Sequence, residues 1–186
     1  KLTNDFILLE NIRLKKIIDS YLVGSNEIVA KVLIDKQSPF LRSVVLSKGS
    51  RNKVKLGMAV LDNDYLVGKI VEVNYLTSRA LLLSDLNSKI PVTIEPGNIQ
   101  SILSGTGKSE GIIQYLKEEI NINNESIIYT SGSGGLFKEG IPIGKINSQK
   151  IEINSDEERR NEKVTFFSDF SQLQFVKIIA FKEDNN

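Results

Sequence analysis

The sequence contains no histidine and no cysteine. Serine–histidine–aspartate and cysteine–histidine nucleophilic sites each need a residue that is missing here. Zinc sites built from cysteine and histidine are excluded for the same reason. Two acidic runs, Glu118–Glu119 and Asp156–Glu158, are better explained as solvated charge than as a catalytic pair. We therefore expect no catalytic site, no metal site and no cofactor.

Neither basic nor acidic residues are in clear excess, and the sequence has no long apolar run. The 24 basic and 23 acidic residues leave a formal net charge of +1, so the composition gives no support for a nucleic-acid-binding protein. No run approaches the roughly 18 apolar residues that a membrane-spanning helix needs. The chain begins at Lys1 with a helical pattern, and we expect it to be part of a longer protein.

Residues 3–22 carry a helical period whose apolar positions alternate at spacings of four and three. This spacing is that of a coiled-coil seam, and a seam asparagine can set its register. The predicted dimer seam consists of Ile7, Asn11, Leu14, Ile18 and Tyr21. Two interpretations stay open: the helix pairs with a second chain, or it packs against its own domain.

After residue 24 the sequence consists of many short apolar segments with glycine, asparagine and aspartate between them. This pattern is typical of antiparallel barrels or sandwiches. We predict a mainly β fold, in which an N-terminal coiled-coil helix precedes two small antiparallel β-barrels of the six-stranded type. The expected divisions are the end of the helix at 1–24, a first barrel at 25–105 and a second at 106–186, with insertion of one barrel into the other left open.

The glycine-rich segment 130–144 runs directly into an apolar, strand-like sequence. A phosphate-binding loop would be followed by a helix whose N-terminus faces the anion. We therefore interpret the glycines as turn residues. The predicted structural loop residues are Gly132, Gly134, Gly135, Phe137, Gly140, Pro142 and Gly144. A second glycine pair, in 105–109, lacks the first glycine of a Walker A motif and is interpreted as a plain turn.

Several blocks, read in order, resemble one family. They are Lys48-Gly49-Ser50-Arg51, Val54 to Val60, Leu66 to Val73, Ser78 to Val92, Thr130 to Gly144 and Phe170 to Ile179. In this order they are similar to the rod shape-determining protein family MreC, and the helix resembles the end of that family's coiled coil.

The resemblance implies a scaffold rather than an enzyme. Such proteins have a cytoplasmic tail, one membrane-spanning helix, a coiled coil and two barrels on the periplasmic or extracytoplasmic side of the bacterial inner membrane. They take part in cell elongation and peptidoglycan synthesis, with MreD, RodA, MreB and a class B penicillin-binding protein as partners. They form homodimers, and some form filaments. By this resemblance we expect an upstream anchor that this sequence does not include.

The mechanism expected from these features is binding. The helix would dimerise, and the barrels would present sheet edges and apolar faces to partners. Two rival functions remain at this point. One is a periplasmic adaptor of the helix-plus-barrel type, which connects transport components; the other is an inactive hydrolase with chymotrypsin-like barrels.

Overall fold

The computed structural model describes residues 27–37, 42–114, 125–147 and 162–180, together with Asn4, Ile7 and Asn11. Twelve strands account for most of these residues. Their bounds are β1 (Glu27–Gln37), β2 (Arg42–Leu46), β3 (Ala59–Asp62), β4 (Tyr65–Val73), β5 (Ser78–Leu82), β6 (Lys89–Glu95), β7 (Ile99–Gly105), β8 (Glu110–Gln114), β9 (Ile127–Thr130), β10 (Pro142–Asn147), β11 (Glu162–Phe166) and β12 (Phe175–Ile179). Two short 3₁₀ turns, Ser50–Asn52 and Ser133–Gly135, lie in loops.

The strands form two closed six-stranded barrels, which confirms the predicted β architecture. The first barrel has the order β1-β12-β3-β4-β5-β2, and the second has the order β10-β11-β8-β7-β6-β9. All pairs are antiparallel, as the short connections predict. The predicted N-terminal helix falls almost wholly outside the described residues.

The second barrel is inserted into the first. All of its strands lie between β5 and β12, and β12 returns to the first barrel to pair with β1 and β3. The boundary expected at residues 105 and 106 is therefore wrong, because it falls between β7 and β8 of one barrel. Turn composition near residue 105 suggested a boundary, but the strand pairing places the transitions at 83–88 and 167–174.

Barrel closure also corrects the expectation of free sheet edges. Each of the twelve strands has a hydrogen-bonded neighbour on both sides. A closed barrel has no edge strand to which another chain could add. Within the described part of the protein, the surfaces open to other molecules are therefore side chains and loops.

Alternating burial along the strands fills the two barrel interiors. In β5, for example, Ser78, Ala80 and Leu82 are buried while Arg79 and Leu81 are partly exposed. Period-two alternation of this kind directs successive side chains to opposite faces. The largest fully buried side chains are Leu46, Leu61, Leu66, Ile70, Leu83, Ile90, Ile94, Leu103, Ile113, Ile128, Ile143 and Ile146. Leucine and isoleucine of both barrels thus provide most of the stabilising apolar burial.

The connection between the barrels, residues 83–88, is mostly buried and is held by hydrogen bonds. The backbone N–H of Gly107 donates to the Ser84 carbonyl at 2.8 Å, and that of Gly105 donates to the Ser88 carbonyl at 3.0 Å. A Cβ atom on Gly105 would lie 2.0 Å from the Asp85 carbonyl oxygen. Only glycine allows so close an approach of two backbones, so this junction is closely packed.

A second contact between the barrels is aromatic. Tyr65 at the start of β4 and Phe167 just after β11 have ring centroids 5.0 Å apart, with an angle of 44° between the ring planes. The backbone N–H of Phe167 donates to the Ile143 carbonyl at 3.1 Å, which fixes the position of the phenylalanine beside β10. Aromatic pairs at this separation add to stability beyond their burial, so the junction and this pair together link the two barrels.

Candidate binding surfaces

The structure describes only two of the five predicted seam residues. Ile7 and Asn11 are helical and exposed, and Ile7 is 53% exposed. Leu14, Ile18 and Tyr21 lie outside the described residues. An exposed isoleucine and an exposed asparagine one helical turn apart are compatible with a seam, and dimerisation through it stays a prediction.

The glycine-rich segment forms the loop between β9 and β10, and Thr130 lies at its base. Thr130 is fully buried. Its hydroxyl donates to the Lys138 carbonyl at 2.5 Å and accepts from the Ile141 N–H at 2.9 Å. The Gly140 N–H donates to the Thr130 carbonyl at 2.9 Å. One threonine thus joins the two ends of the loop.

The remaining predicted loop residues lie in this turn or in β10. Positive φ angles occur at Gly132 (70°), Gly134 (73°), Gly135 (63°) and Gly140 (87°). Phe137 is buried, whereas residues 133–136 are exposed. Gly144 in β10 has a different requirement, because a Cβ there would lie 2.3 Å from the Thr165 carbonyl oxygen. The loop contains a three-residue 3₁₀ turn but no α-helix whose N-terminus could bind phosphate, and its stabilising role stays a prediction.

The first barrel has an apolar face, formed by Val29 and Leu33 of β1 and Phe175 of β12. These side chains are 57%, 49% and 58% exposed, respectively. Lys31 pairs with Phe175 across the two strands, so Val29 and Leu33 are the diagonal neighbours of Phe175 on the outer surface. The register of β1 against β2 shifts between Val32 and Ile34. Leu33 is therefore the extra residue of a β-bulge.

One end of the first barrel carries most of its unpaired positive charge. At this end β1 begins, β2 ends, and the β4–β5 hairpin turns, as the antiparallel pairings require. The loop between β2 and β3 contains Lys48, Arg51, Lys53 and Lys55. Tyr75 and Leu76, at the tip of the hairpin, are 67% and 55% exposed. These six residues are called the basic pole below.

Backbone hydrogen bonds fasten the two loops of the basic pole to each other. The N–H groups of Ser50 and Arg51 donate to the carbonyls of Asn74 and Tyr75 at 2.9 and 3.1 Å. Gly49 fits between them, because a Cβ at this position would lie 2.2 Å from the Asn74 carbonyl oxygen. The side chains of the basic pole are therefore carried by a fixed backbone.

A depression of about 520 Å³ opens beside the basic pole. Leu33 of the bulge and Leu76 of the hairpin provide its apolar lining. Its polar lining consists of Ser47, Lys48, Arg51, Asn52 and Thr77. An apolar lining with a few cationic and hydrogen-bonding groups is suited to a ligand that has both apolar and anionic parts.

Sequence reasoning missed the basic pole, although a signal was present. Residues 36–61 contain six basic residues, Lys36, Arg42, Lys48, Arg51, Lys53 and Lys55, and no acidic residue. The near-zero net charge of the whole chain conceals this segment. Contact between this loop and the 74–77 hairpin could not be derived from residue order.

The described residues contain no group of three or more metal-ligating side chains. They also contain no helix of the length and apolar character needed to cross a membrane. The features that remain are therefore surfaces and loops. Together with the topology they define the class of protein: two six-stranded barrels, one inserted into the other, with solvent-exposed candidate binding surfaces on the first.

Comparison with known proteins identifies the family within this class. The family model described as "Rod shape-determining protein MreC, barrel core" matches residues 32–180. The chain belongs to the MreC family of cell shape-determining proteins. It is 31% identical over 152 residues to the cell shape-determining protein MreC of Cereibacter sphaeroides, covering 82% of this chain and 48% of the relative. The chain thus spans about half the length of that relative.

Solved structures share the fold. The crystal structure of MreC from Pseudomonas aeruginosa matches with a TM-score of 0.76 at 24% identity, over 83% of this chain and 99% of that one. A chain in the complex between Penicillin-Binding Protein (PBP2) and MreC from Helicobacter pylori matches with a TM-score of 0.61 at 14% identity, over 84% of this chain and 99% of that one.

Proposed function

We propose that this chain is the extracytoplasmic part of a non-enzymatic scaffold of the bacterial cell-elongation complex. It would organise peptidoglycan-synthesis enzymes at the inner membrane and so maintain rod shape. The match of the barrel-core family model to residues 32–180 carries this proposal. Membership of a shape-determining family favours a scaffold function over the functions of a transport adaptor or a hydrolase. The absence of histidine and cysteine from the sequence also fits a binding role.

The proposed partner is a class B penicillin-binding protein. Support comes from the Helicobacter pylori complex, in which a protein of the same fold binds PBP2. Closed barrels make strand addition an unfavourable mode of binding, so the partner would contact side-chain surfaces such as the apolar face. MreD, RodA and MreB are further proposed partners of the whole protein, which would be anchored by an upstream membrane helix.

Dimerisation through the N-terminal helix would bring two pairs of barrels together. Asn11 in the seam would hydrogen-bond to Asn11 of the second chain and so fix the register of the two helices. Leu14 and Ile18 would provide apolar contacts. Association of dimers into filaments is part of the same proposal. The evidence for the helix is its apolar period and the exposed, helical Ile7 and Asn11.

The partner is tested by binding of the 186-residue chain to the class B penicillin-binding protein of the same organism, measured by biolayer interferometry. A binding signal that saturates, and that an excess of free chain competes away, is expected. The absence of binding by the intact chain to the full-length enzyme in detergent micelles would refute the proposed partner.

The dimer is tested by analytical ultracentrifugation across concentrations. The pair Leu14→Glu and Ile18→Glu should produce a monomer, because charges on the seam cannot be buried without a large desolvation cost. Lys15→Glu with Lys16→Glu, toward the other side of the helix, is the control and should leave the dimer intact. A dimer that survives the seam substitutions would rule out this seam.

A further inference from the structure

We infer that the basic pole binds an acidic segment of a partner protein, which inserts an apolar side chain between Leu33 and Leu76. The inference rests on the proposed function, because it assumes that this chain binds other proteins. It specifies a face and a chemistry that the scaffold role by itself leaves open. Three properties of the surface support it: its charge, its depression and its rigidity.

The charge is concentrated, and no described residue forms an ion pair with it. Lys48, Arg51, Lys53 and Lys55 lie within one loop that contains no acidic residue. None of the four forms an ion pair with another residue in the described ranges. Such a cluster creates a local positive potential that attracts a complementary acidic segment and orients its approach.

Two described carboxylates at this end of the barrel, Glu72 and Glu27, each lie beside a cation outside the loop. Glu72 at the base of the hairpin accepts from Arg79 Nε at 3.1 Å and from the Asn74 side chain at 3.2 Å. Glu27 at the start of β1 lies 3.9 Å from Lys177 Nζ. Among the residues that the structure describes, none is left to pair with the four cations of the loop, which are therefore available to an external anionic group.

The depression gives the surface a position for one apolar side chain. Leu33 and Leu76 are both about half exposed, at 49% and 55%, and both line it. Exposed leucines that line a depression gain free energy when another apolar side chain covers them. Lys48 and Arg51 at the same depression would contact carboxylates on either side of the inserted group.

The surface is also preorganised. Two hydrogen bonds join Ser47 and Lys31: the Ser47 N–H donates to the Lys31 carbonyl and the Lys31 N–H donates to the Ser47 side-chain Oγ, each at 2.9 Å. The Gly57 N–H donates to the Ile70 carbonyl at 2.8 Å. The loop is thus attached to β1 and β4 as well as to the hairpin, and little conformational entropy would be lost on binding.

The placement of the exposed apolar side chains favours a protein segment over an anionic membrane. Tyr75 and Leu56, each 67% exposed, are the side chains that a flat lipid surface would contact, and neither lines the depression. Leu33 and Leu76 both line the depression, where a protruding side chain of a partner would contact them. Binding to anionic vesicles in place of the peptide is therefore an outcome that contradicts the inference.

The test uses a short fluorescein-labelled peptide in which aspartates and glutamates flank one central phenylalanine. Binding to the 186-residue chain is measured by fluorescence anisotropy. Two matched peptides replace the phenylalanine by serine, or all the acidic residues by their amides. Vesicles of phosphatidylglycerol mixed with phosphatidylcholine test the lipid alternative by co-sedimentation. The parent peptide should bind, and each matched peptide should bind at least about tenfold more weakly.

Protein variants locate the binding site. Lys48→Glu with Arg51→Glu should weaken peptide binding at least about tenfold, and Leu76→Ser should weaken it several-fold. Lys89→Glu with Lys145→Glu makes the same change of net charge at exposed positions of the second barrel and should have no more than a twofold effect. Ile102→Ser is the matched exposed apolar control. Circular dichroism melts confirm that all variants are folded.

Three results would overturn the inference: no binding of the parent peptide, equal loss in the Lys89 and Lys145 control, or binding of vesicles but not of peptide. The same variants are then tested against the penicillin-binding protein. If the wild-type chain binds that enzyme but not the peptide, the basic pole is wrongly assigned and the scaffold function stands. If the peptide binds and the enzyme does not, the proposed partner fails independently.

Discussion

The Oδ2 atom of Asp85 accepts a hydrogen bond from the backbone N–H of Arg42 at 2.6 Å, although the two residues are far apart in the sequence. The other carboxylate oxygen accepts from the Asn87 N–H at 2.8 Å. The Arg42 side chain in turn donates to the Lys108 carbonyl. Asp85 is only 1% exposed. The start of β2, the connection between the barrels and the β7–β8 turn are thus joined around one buried carboxylate.

Removing this carboxylate should destabilise the protein. Asp85→Ala leaves the N–H groups of Arg42 and Asn87 without their acceptor, and we expect the free energy of unfolding to fall by roughly 2–3 kcal/mol, measured by urea denaturation. Asp85→Asn keeps one acceptor oxygen and should lose less. Asp62→Ala, in an exposed hairpin, is the control and should change stability by less than about 0.5 kcal/mol. Equal effects at both positions would contradict the assigned role.

Gly105→Ala should disturb the same junction by a different mechanism. The new Cβ would lie 2.0 Å from the Asp85 carbonyl oxygen, so the two backbones must separate. We expect a loss of about 2 kcal/mol or more in the free energy of unfolding. Ser104→Ala is the neighbouring control: its hydroxyl is buried without a hydrogen-bond partner, so its removal should be neutral or slightly stabilising. If Gly105→Ala had the same free energy of unfolding as the wild type, the two backbones could separate at little cost.

Thr130→Val should loosen the glycine-rich loop. Valine has the shape of threonine but cannot accept from the Ile141 N–H or donate to the Lys138 carbonyl. The buried N–H is then unpaired, and we expect a loss of about 1–3 kcal/mol with faster amide exchange in the loop. Thr165→Val, at an exposed position of β11, is the matched control and should be near neutral. Unchanged exchange in the loop would show that Thr130 does not hold it.

Alkaline pH should destabilise the protein through Tyr129. Burial, and then the neighbouring carboxylate of Glu95, raise the pKa of Tyr129 above its usual value near 10. The unfolded chain therefore releases this proton first, and the free energy of unfolding should fall as the pH rises above about 10. Tyr129→Phe should reduce that decline, compared by denaturation at pH 9 and at pH 11. A variant whose decline equals that of the wild type would assign the effect to other groups.

The fold class could be predicted because it depends on local pattern. Short alternating segments with turn residues between them predict antiparallel barrels. The glycines of 132–140 predict a turn because glycine readily takes positive φ angles, which the structure has at these positions. The insertion could not be predicted, because the pairing of Lys31 with Phe175 joins opposite ends of the chain. No local signal distinguishes that register from pairing within the first half.

The candidate surfaces were only partly predictable for the same reason. The helical seam is a property of consecutive residues, so its period is visible in the sequence. The basic pole forms where the 47–58 loop meets the hairpin at Asn74 and Tyr75, a contact created by the tertiary fold. Leu33 lies on the same exposed face of β1 as Val29 and Lys31, but the β-bulge at this position depends on the pairing with β2, which hydrophobicity alone does not reveal.

The position of β12 has a consequence for how the protein is made. During synthesis all six strands of the second barrel, β6 to β11, are made before β12. Until β12 is added, β1 and β3 lack the strand that lies between them in the finished protein. Unpaired strand edges are sites of aggregation and of strand exchange between chains. A chain that stops before Phe175 would therefore contain every strand of the second barrel but leave the first barrel as an open sheet, with β1 and β3 as its edges.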